Sequence, residues 1–336
     1  MPIKVLISGG GAASTIGIIH TLKPTGRYEF VVLDAEPYSY GLKVADSAYV
    51  APYGSAPEFE GVLETIVERE RPRYLIPLID TEIAAFHAVG NRFGARVIAP
   101  VPDFCRMAFD KWLTYEGLIQ AGVPAPQTSL ATIEANHVSY PAVIKPRCST
   151  GSRGIAYLQG PRDLEAYLAA APLPPDAYIV QERLRGREFS VSVVVGLGGP
   201  VLAVVPKESL IKRGMSMAAV TRRCPEIDTI CRKVQDTLRA DGPFNLQLFV
   251  TPEGRMGVLE INPRFSGSSP LTIAAGVHEV DLVLRHAEGE KIGPVNFTPD
   301  LLMIRYYVDE YLPEAQWKEL LAGRDLRCSV KNSNPS

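Results

Sequence analysis

The stretch VLEINPRFSGSS, residues 258–269, sets a carboxylate (Glu260), an amide (Asn262) and a guanidinium (Arg264) on every second residue at the end of an apolar run. Alternate residues of a strand point to the same face, so Glu260 and Asn262 share a face. In the preceding FNLQLF, Asn245, Gln247 and Phe249 share one face in the same way. If the two segments pair as a hairpin, Gln247, Glu260 and Asn262 converge, and all three offer oxygen. Few carboxylates among several oxygens suit Mg²⁺ shared with substrate phosphates. A polar, solvated hairpin face is the plainer alternative. The apolar flanks argue against it, because burying Glu260 without a cation or a donor is costly.

Other segments offer phosphate chemistry. VIKP puts Lys145 at the end of an apolar strand, and STGSRG (Ser149, Thr150, Gly151, Ser152, Arg153, Gly154) follows, rich in hydroxyls and backbone donors. Small residues let amides approach a polyphosphate, and a lysine adds a point charge. The lysine precedes the glycines, so this is not a Walker A loop, and many glycine loops are only turns. Lys111, taken alone, reads as a solvated helix charge. In QERLRGREF, Glu182 and Glu188 could accept from an adenine amine or a ribose hydroxyl, or simply belong to a charged linker. SGGGAAS near the start misses the dinucleotide fingerprint, because Ser14 stands where its third glycine belongs; a tight turn into a helix explains it as well. The five histidines share no metal-ligand spacing.

Around these residues the elements alternate. IKVLIS (3–8), FVVLD (30–34), YLIPLID (74–80) and ARVIAP (95–100) read as strands, with helices at TIGIIHTL and EFEGVLETIVERE (58–70), which makes a parallel α/β unit. Two short helices are expected over 102–122 and a strand at YPAVIKP (140–146). A helix follows at 163–171 and a strand at 177–184. A hairpin is expected around Gly198–Gly199, then an amphipathic helix over 226–242 ending on glycine. A second hairpin should turn near 252–254.

The 336 residues suffice for two or three cores, and 46% apolar with 21% charged residues is a globular balance. A net charge of −2 with no basic block gives no case for nucleic acid or an anionic membrane. Five scattered cysteines with no CxxC fit a reduced, cytoplasmic protein. The opening apolar hexad is too short for a signal-peptide core or a membrane span.

Together, DKWLTYEGLIQAGVPAPQT (110–128), YPAVIKPRCSTGSRGI (140–155), YIVQERLRGREFSVSVVV (178–195), FNLQLFV (244–250) and VLEINPRFSGSSPLTIAAG (258–276) resemble the ATP-grasp superfamily. The likeness is to one synthetase half of the carbamoyl phosphate synthetase large subunit, and to stand-alone ligases of that plan. It implies an α/β unit over 1–103. An α+β ATP-grasp fold would follow, its small lobe over 104–182 and its large lobe over 183–336. It implies that Lys111 and Lys145 bind ATP phosphates, that the loop 149–154 covers them, and that Gln181, Glu182 and Leu184 meet adenine. Glu188 would hold the ribose, and Gln247, Glu260 and Asn262 would coordinate Mg²⁺, with Mn²⁺ open. Arg264 would face the acyl phosphate or the bound carboxylate. The implied catalytic set is Arg264, Lys145 and Asn262. The implied reaction activates a small carboxylic acid with ATP and joins it to an amine or other nucleophile. Both substrates would be small molecules, and a homodimer is open.

Lys111 departs from the arginine usual in those synthetase halves, and a single unit with no amidotransferase makes carbamoyl phosphate synthesis itself an unsuitable expectation. The basic segment KESLIKRGMSMAAVTRR (207–223) is expected to be a loop over the site, with Arg213 or Arg222 gripping an anionic substrate; Ser266 and Ser268 join that substrate set. Asp80 and Glu82, at the carboxyl end of the strand at 74–80, would bind an amine or cap a helix. A phosphotransferase and a catalytically silent nucleotide-binding regulator are the rival readings.

Overall fold

A computed structural model describes residues 1–132, 138–149 and 154–327. The first unit is a five-stranded parallel sheet of β1 (Ile3–Ser8), β2 (Tyr28–Asp34), β3 (Ser47–Val50), β4 (Tyr74–Ile76) and β5 (Arg96–Val97), in the order β3-β2-β1-β4-β5. Its helices are α1 (Ala13–Leu22), α2 (Tyr40–Val44), α3 (Phe59–Glu70) and α4 (Ile83–Phe93). The central strands β1 and β2 are apolar in their middles because both faces are covered: Val5, Ile7 and Val32 enter one core, Leu6, Val31 and Leu33 the other. β4 ends at Ile76 rather than Asp80. Pro77 follows, and Asp80–Glu82 form a short 3₁₀ turn.

α5 (Pro102–Phe109) and α6 (Lys111–Gln120) follow, separated by Asp110, whose carboxylate accepts from the backbone N–H groups of Trp112 (2.9 Å) and Leu113 (3.4 Å). This cap starts α6 at Lys111. A four-stranded antiparallel sheet comes next: β6 (Thr128–Leu130), β7 (Ala142–Pro146), β8 (Ala156–Leu158) and β9 (Tyr178–Glu182), ordered β6-β9-β7-β8. α7 (Pro161–Ala170) completes its core through Leu164.

The third sheet holds β10 (Arg187–Val195), β11 (Val201–Arg213), β12 (Met215–Thr221), β13 (Phe244–Val250), β14 (Met256–Asn262) and β15 (Leu302–Ile304), ordered β14-β13-β10-β11-β12-β15. α8 (Pro225–Leu238) packs on one face through Ile227, Cys231 and Val234. It stops at Leu238, four residues before the expected glycine, because Arg239 takes a left-handed φ of 54°. α9 (Ser269–Ala274) and α10 (Glu279–Ala287) lie toward the first unit, where Val280, Val283 and Leu284 share a core with Val5 and Ile7. α11 (Glu314–Leu320) returns to the first unit, its Trp317 indole N–H donating to the Pro37 carbonyl at 3.0 Å. The segment expected as a loop over 207–223 is instead a β-hairpin, β11 turning into β12 at Gly214 (φ 71°). No helix among the described residues is long and apolar enough to cross a membrane.

Candidate active site

The hairpin of β13 and β14 pairs Gln247 with Glu260 and Asn245 with Asn262. The expected convergence therefore occurs, but through a register shift. Gln247 faces Glu260 while Leu248 faces Val258, so Leu259 is an extra, bulged residue. The bulge resets the alternation. Val258 and Ile261 are core residues, whereas Leu259, Glu260 and Asn262 line a cavity of about 290 Å³. β10 runs on the other side of β13 and brings Ser190 opposite Gln247 and Glu188 opposite Phe249. Phe249, expected on the face of Gln247, does not line that cavity.

Lys111, first residue of α6, and Lys145, on β7, enter the same cavity from the side of the small sheet. Lys111 Nζ donates to the Ser149 carbonyl at 2.6 Å and to Ser149 Oγ at 3.2 Å. It is therefore no solvated helix charge; it is 8% exposed, and burial lowers its pKa against the pull of Glu260. Lys145 Nζ donates to Gln181 Oε1 at 3.0 Å, and Gln181 Nε2 in turn donates to Thr128 Oγ1 at 3.0 Å. Burial pushes the Lys145 ammonium down to about 8, opposed by Glu260 and helped by the charges of Lys111 and Lys212.

Glu260 has no ion-pair partner among the described residues; Asn262 Nδ2 donates to its Oε1 at 3.3 Å. Arg264 lines the cavity but is already engaged. Its Nε lies 3.0 Å and its Nη2 3.2 Å from the Asp80 carboxylate, and Nη2 also donates to Asn262 Oδ1 at 3.2 Å. Asp80 comes from the first unit, so the 3₁₀ turn after β4 fixes the guanidinium of the third sheet. Sequence reasoning weighed Asp80 as an amine ligand or a helix cap; nothing near it in the sequence names its partner 184 residues away.

The remaining expected residues divide. Ser149, Glu188, Ser266 and Ser268 line the cavity, and Lys212 donates to Glu188. Ser266 and Ser268 bond each other through their hydroxyls at 2.9 Å. Gln181 reaches the cavity only through Lys145. Glu182 pairs with Arg255 and accepts from Gln127 N at 3.3 Å. Leu184 packs against Gly257, where an added Cβ would come 2.4 Å from Leu184 Cδ1. Gly154 lies at a turn with φ 70° outside the cavity wall, and Thr150, Gly151 and Ser152 lie outside the described residues. Arg222, expected to grip an anionic substrate, is instead paired with Glu208 (2.8 Å) and Asp300 and does not line the cavity. Arg213, at the hairpin turn, is exposed and absent from the wall; its neighbours Lys212, Gly214, Met215 and Ser216 line the cavity instead. Sequence reasoning placed Asn245 on the face of Gln247 without giving it a role and passed over Ser190, Ser209 and Arg305; all four share the wall.

The oxygens of Gln247, Glu260 and Asn262 suit a hard divalent cation. Among the described residues no group of three His, Cys, Asp or Glu could hold a metal. With a single carboxylate among these oxygens, a cation held here would draw most of its shell from other oxygens, such as those of phosphates.

Residues 108–268 match the family model of the ATP-grasp domain. The large chain of carbamoyl phosphate synthase from Thermotoga sp. strain RQ2 is 26% identical over 313 residues, covering 81% of this chain and 28% of that one. The chain thus spans about a quarter of the length of the curated relatives it matches. N5-carboxyaminoimidazole synthetase from Staphylococcus aureus superposes with a TM-score of 0.75 at 16% identity, over 96% of this chain and 86% of that one. The biotin carboxylase domain of the Hydrogenobacter thermophilus 2-oxoglutarate carboxylase, solved with MgADP and bicarbonate, gives 0.70 at 19% identity, over 88% and 71%. Those two likenesses carry the fold. With the sequence match and the site geometry, they identify the chain as a protein that carries an ATP-grasp domain, as its five sequence segments implied.

Proposed function

We propose that this protein is an ATP-dependent ligase that activates a small carboxylic acid as an acyl phosphate and joins it to an amine or other nucleophile, releasing ADP and phosphate. The observation that carries the reading is the meeting of Lys111 and Lys145 with Gln247, Glu260, Asn262 and Arg264 on one cavity. Lys111 and Lys145 have no carboxylate partner within ion-pair distance among the described residues, so their charges are available to the β- and γ-phosphates. Glu188 is the candidate for the ribose hydroxyls, and Gln181 positions Lys145 rather than touching the nucleotide. Glu260, Gln247 and Asn262 would hold Mg²⁺, or Mn²⁺ with the same preference for oxygen; the cation supplies charge neutralisation to the phosphates. Arg264, held by Asp80, presents a fixed positive edge to the carboxylate oxygen that attacks the γ-phosphorus while the bond to the β-phosphate oxygen breaks. The amine then attacks the acyl carbon and phosphate leaves. Positioning and charge compensation account for the protein's part. A cytoplasmic setting fits the unpaired Cys105, Cys148, Cys224 and Cys231.

The test is phosphate release from Mg-ATP against amino acids and small carboxylic acids, with hydroxylamine present to trap an acyl phosphate. A rate that rises with one or two acids, yields the hydroxamate and falls at least about a hundredfold in Glu260→Gln supports the ligase. Phosphate transfer to an acceptor without hydroxamate indicates a phosphotransferase. Tight Mg-ATP binding with no stimulation by any acid goes against the ligase and favours a nucleotide-binding regulator.

A further inference from the structure

Five cationic side chains line the cavity: Lys111, Lys145, Lys212, Arg264 and Arg305. Two are neutralised by carboxylates, Lys212 by Glu188 and Arg264 by Asp80. The two unpaired lysines belong to the side of the cavity made by α6 and β7, which the proposed ligase reading gives to ATP phosphates. Arg305 is different. It follows β15, at the far edge of the large sheet from β14, which carries Glu260 and Asn262. Among the described residues it has no carboxylate partner. Its Nη1 points to Met215 Sδ at 2.9 Å and its Nη2 donates to the Gly267 carbonyl at 3.2 Å, while its backbone N–H is tied to Met217 O at 2.7 Å. A guanidinium has five N–H donors, so most of its capacity is unspent.

Its surroundings are those of a ligand site. The side chain is partly buried, and burial lowers its pKa with only the Tyr307 phenol to oppose it. A partly desolvated charge with no counter-ion is costly unless an anion repays it. The same cavity wall carries hydroxyls and small groups: Ser209 and Ser216 face each other at 2.6 Å across the β11–β12 hairpin, and Ser268 follows Gly267, whose carbonyl Arg305 holds, on the turn before α9. Those groups donate and accept but carry no charge, and Lys212 on the hairpin is spent on Glu188, so Arg305 sets the sign of what binds on this side.

We propose that Arg305 anchors a non-reacting carboxylate of the small-molecule substrate, so that the substrate is an acid bearing a second anionic group, such as a dicarboxylic acid or an acidic amino acid. The inference rests on the ligase reading for the position of the reacting carboxylate, which belongs near Arg264 and the phosphates. Arg305 takes the other end. This replaces Arg213 and Arg222 as the substrate's anionic grip.

Thermal unfolding of the full chain tests it. With Mg-ADP saturating, succinate, L-aspartate and L-glutamate are titrated against butyrate as the singly charged control. At least one dianionic acid raises the midpoint where butyrate does not. Arg305→Gln requires roughly tenfold to a hundredfold more of that acid, Arg305→Lys falls between, and the Mg-ADP shift is equal in all three. An undiminished response in Arg305→Gln overturns the proposal, as does the absence of any dicarboxylate response in the unaltered protein when Mg-ADP still stabilises it. If Mg-ADP itself gives no shift, the nucleotide reading fails. The dicarboxylate titration without nucleotide then decides on Arg305 alone: a shift lost in Arg305→Gln upholds it, and no shift removes it.

Discussion

Lys145 carries the electrostatic conflict of the site. It is 7% exposed, held by one neutral acceptor, Gln181 Oε1, and burial pulls its pKa to about 8. A bound polyphosphate favours the charged form, so above that value binding must take up a proton. Below about pH 8 the ammonium is present in the empty site and nucleotide affinity is flat. As pH rises through it, affinity falls, approaching tenfold per pH unit until the lysine of the complex also titrates. Calorimetric titration of Mg-ADP between pH 7 and 9.5 checks this, and Lys145→Arg, whose guanidinium stays charged, should flatten the profile. A pH-independent affinity in the unaltered protein would rule out a Lys145 that both titrates in this range and binds the phosphates. Lys145, Glu260 and Asn262 were legible in the sequence because each sits at the end of an apolar strand, where a polar residue stands out. Asp80 and Arg305 were not, since what marks them is a partner present, or missing, across the fold.

At the scale of elements, period-two alternation carried the reading most of the way. It gave the β13–β14 hairpin and the shared face of Glu260 and Asn262. It could not give the bulge at Leu259, because a bulge is defined by the partner strand and not by its own sequence. Strict alternation would put Val258 beside Glu260 in the cavity, whereas Val258 is 1% exposed in the core. The edge strands β3 and β15 escaped for a related reason: four and three residues carry too little periodicity to be seen. The junction of α5 and α6 has a direct functional consequence. Asp110 caps α6 and binds Arg147 through two contacts, Nε–Oδ1 at 3.1 Å and Nη2–Oδ2 at 2.5 Å, which ties the helix that begins with Lys111 to the strand end beyond Lys145. Asp110→Ala removes cap and ion pair together. It should cost about 2 kcal/mol of stability and also weaken Mg-ADP binding several-fold, because Lys111 loses its anchor. Denaturant unfolding and nucleotide titration on the same variant check the two effects. Lost stability with unchanged affinity would show that Lys111 is positioned by something else.

On the scale of the whole molecule, the first unit and the large sheet share one core, and two buried groups of opposite charge, coupled through space and bridged by hydroxyls rather than in direct contact, lie at that junction. Lys207 on β11 and Glu279 at the start of α10 are 0% and 1% exposed. Lys207 Nζ donates to Ser192 Oγ at 2.5 Å and Thr272 Oγ1 at 2.9 Å, while Glu279 accepts from Ser269 Oγ, which also donates to the Ser266 carbonyl at 2.7 Å. Burial drives the lysine pKa down and the carboxyl pKa up, and each charge partly restores the other. Glu279 holds the turn 266–269 through Ser269, and Lys207 holds Thr272 on α9 directly after it, so both act on the cavity through the backbone that presents Ser266, Gly267 and Ser268. Energetically such a pair roughly breaks even against apolar residues of similar size, but a lone survivor does not. Lys207→Met or Glu279→Leu alone should therefore cost about 3–5 kcal/mol. The double variant should recover most of that loss, since Ser192 and Thr272 can bond each other across their 3.2 Å separation and Ser269 keeps the Ser266 carbonyl. Unfolding free energies of the two single variants and the double close the cycle. A double variant as unstable as the sum of its parts would mean that the two side chains serve separate networks and that the turn 266–269 is held by Glu279 alone.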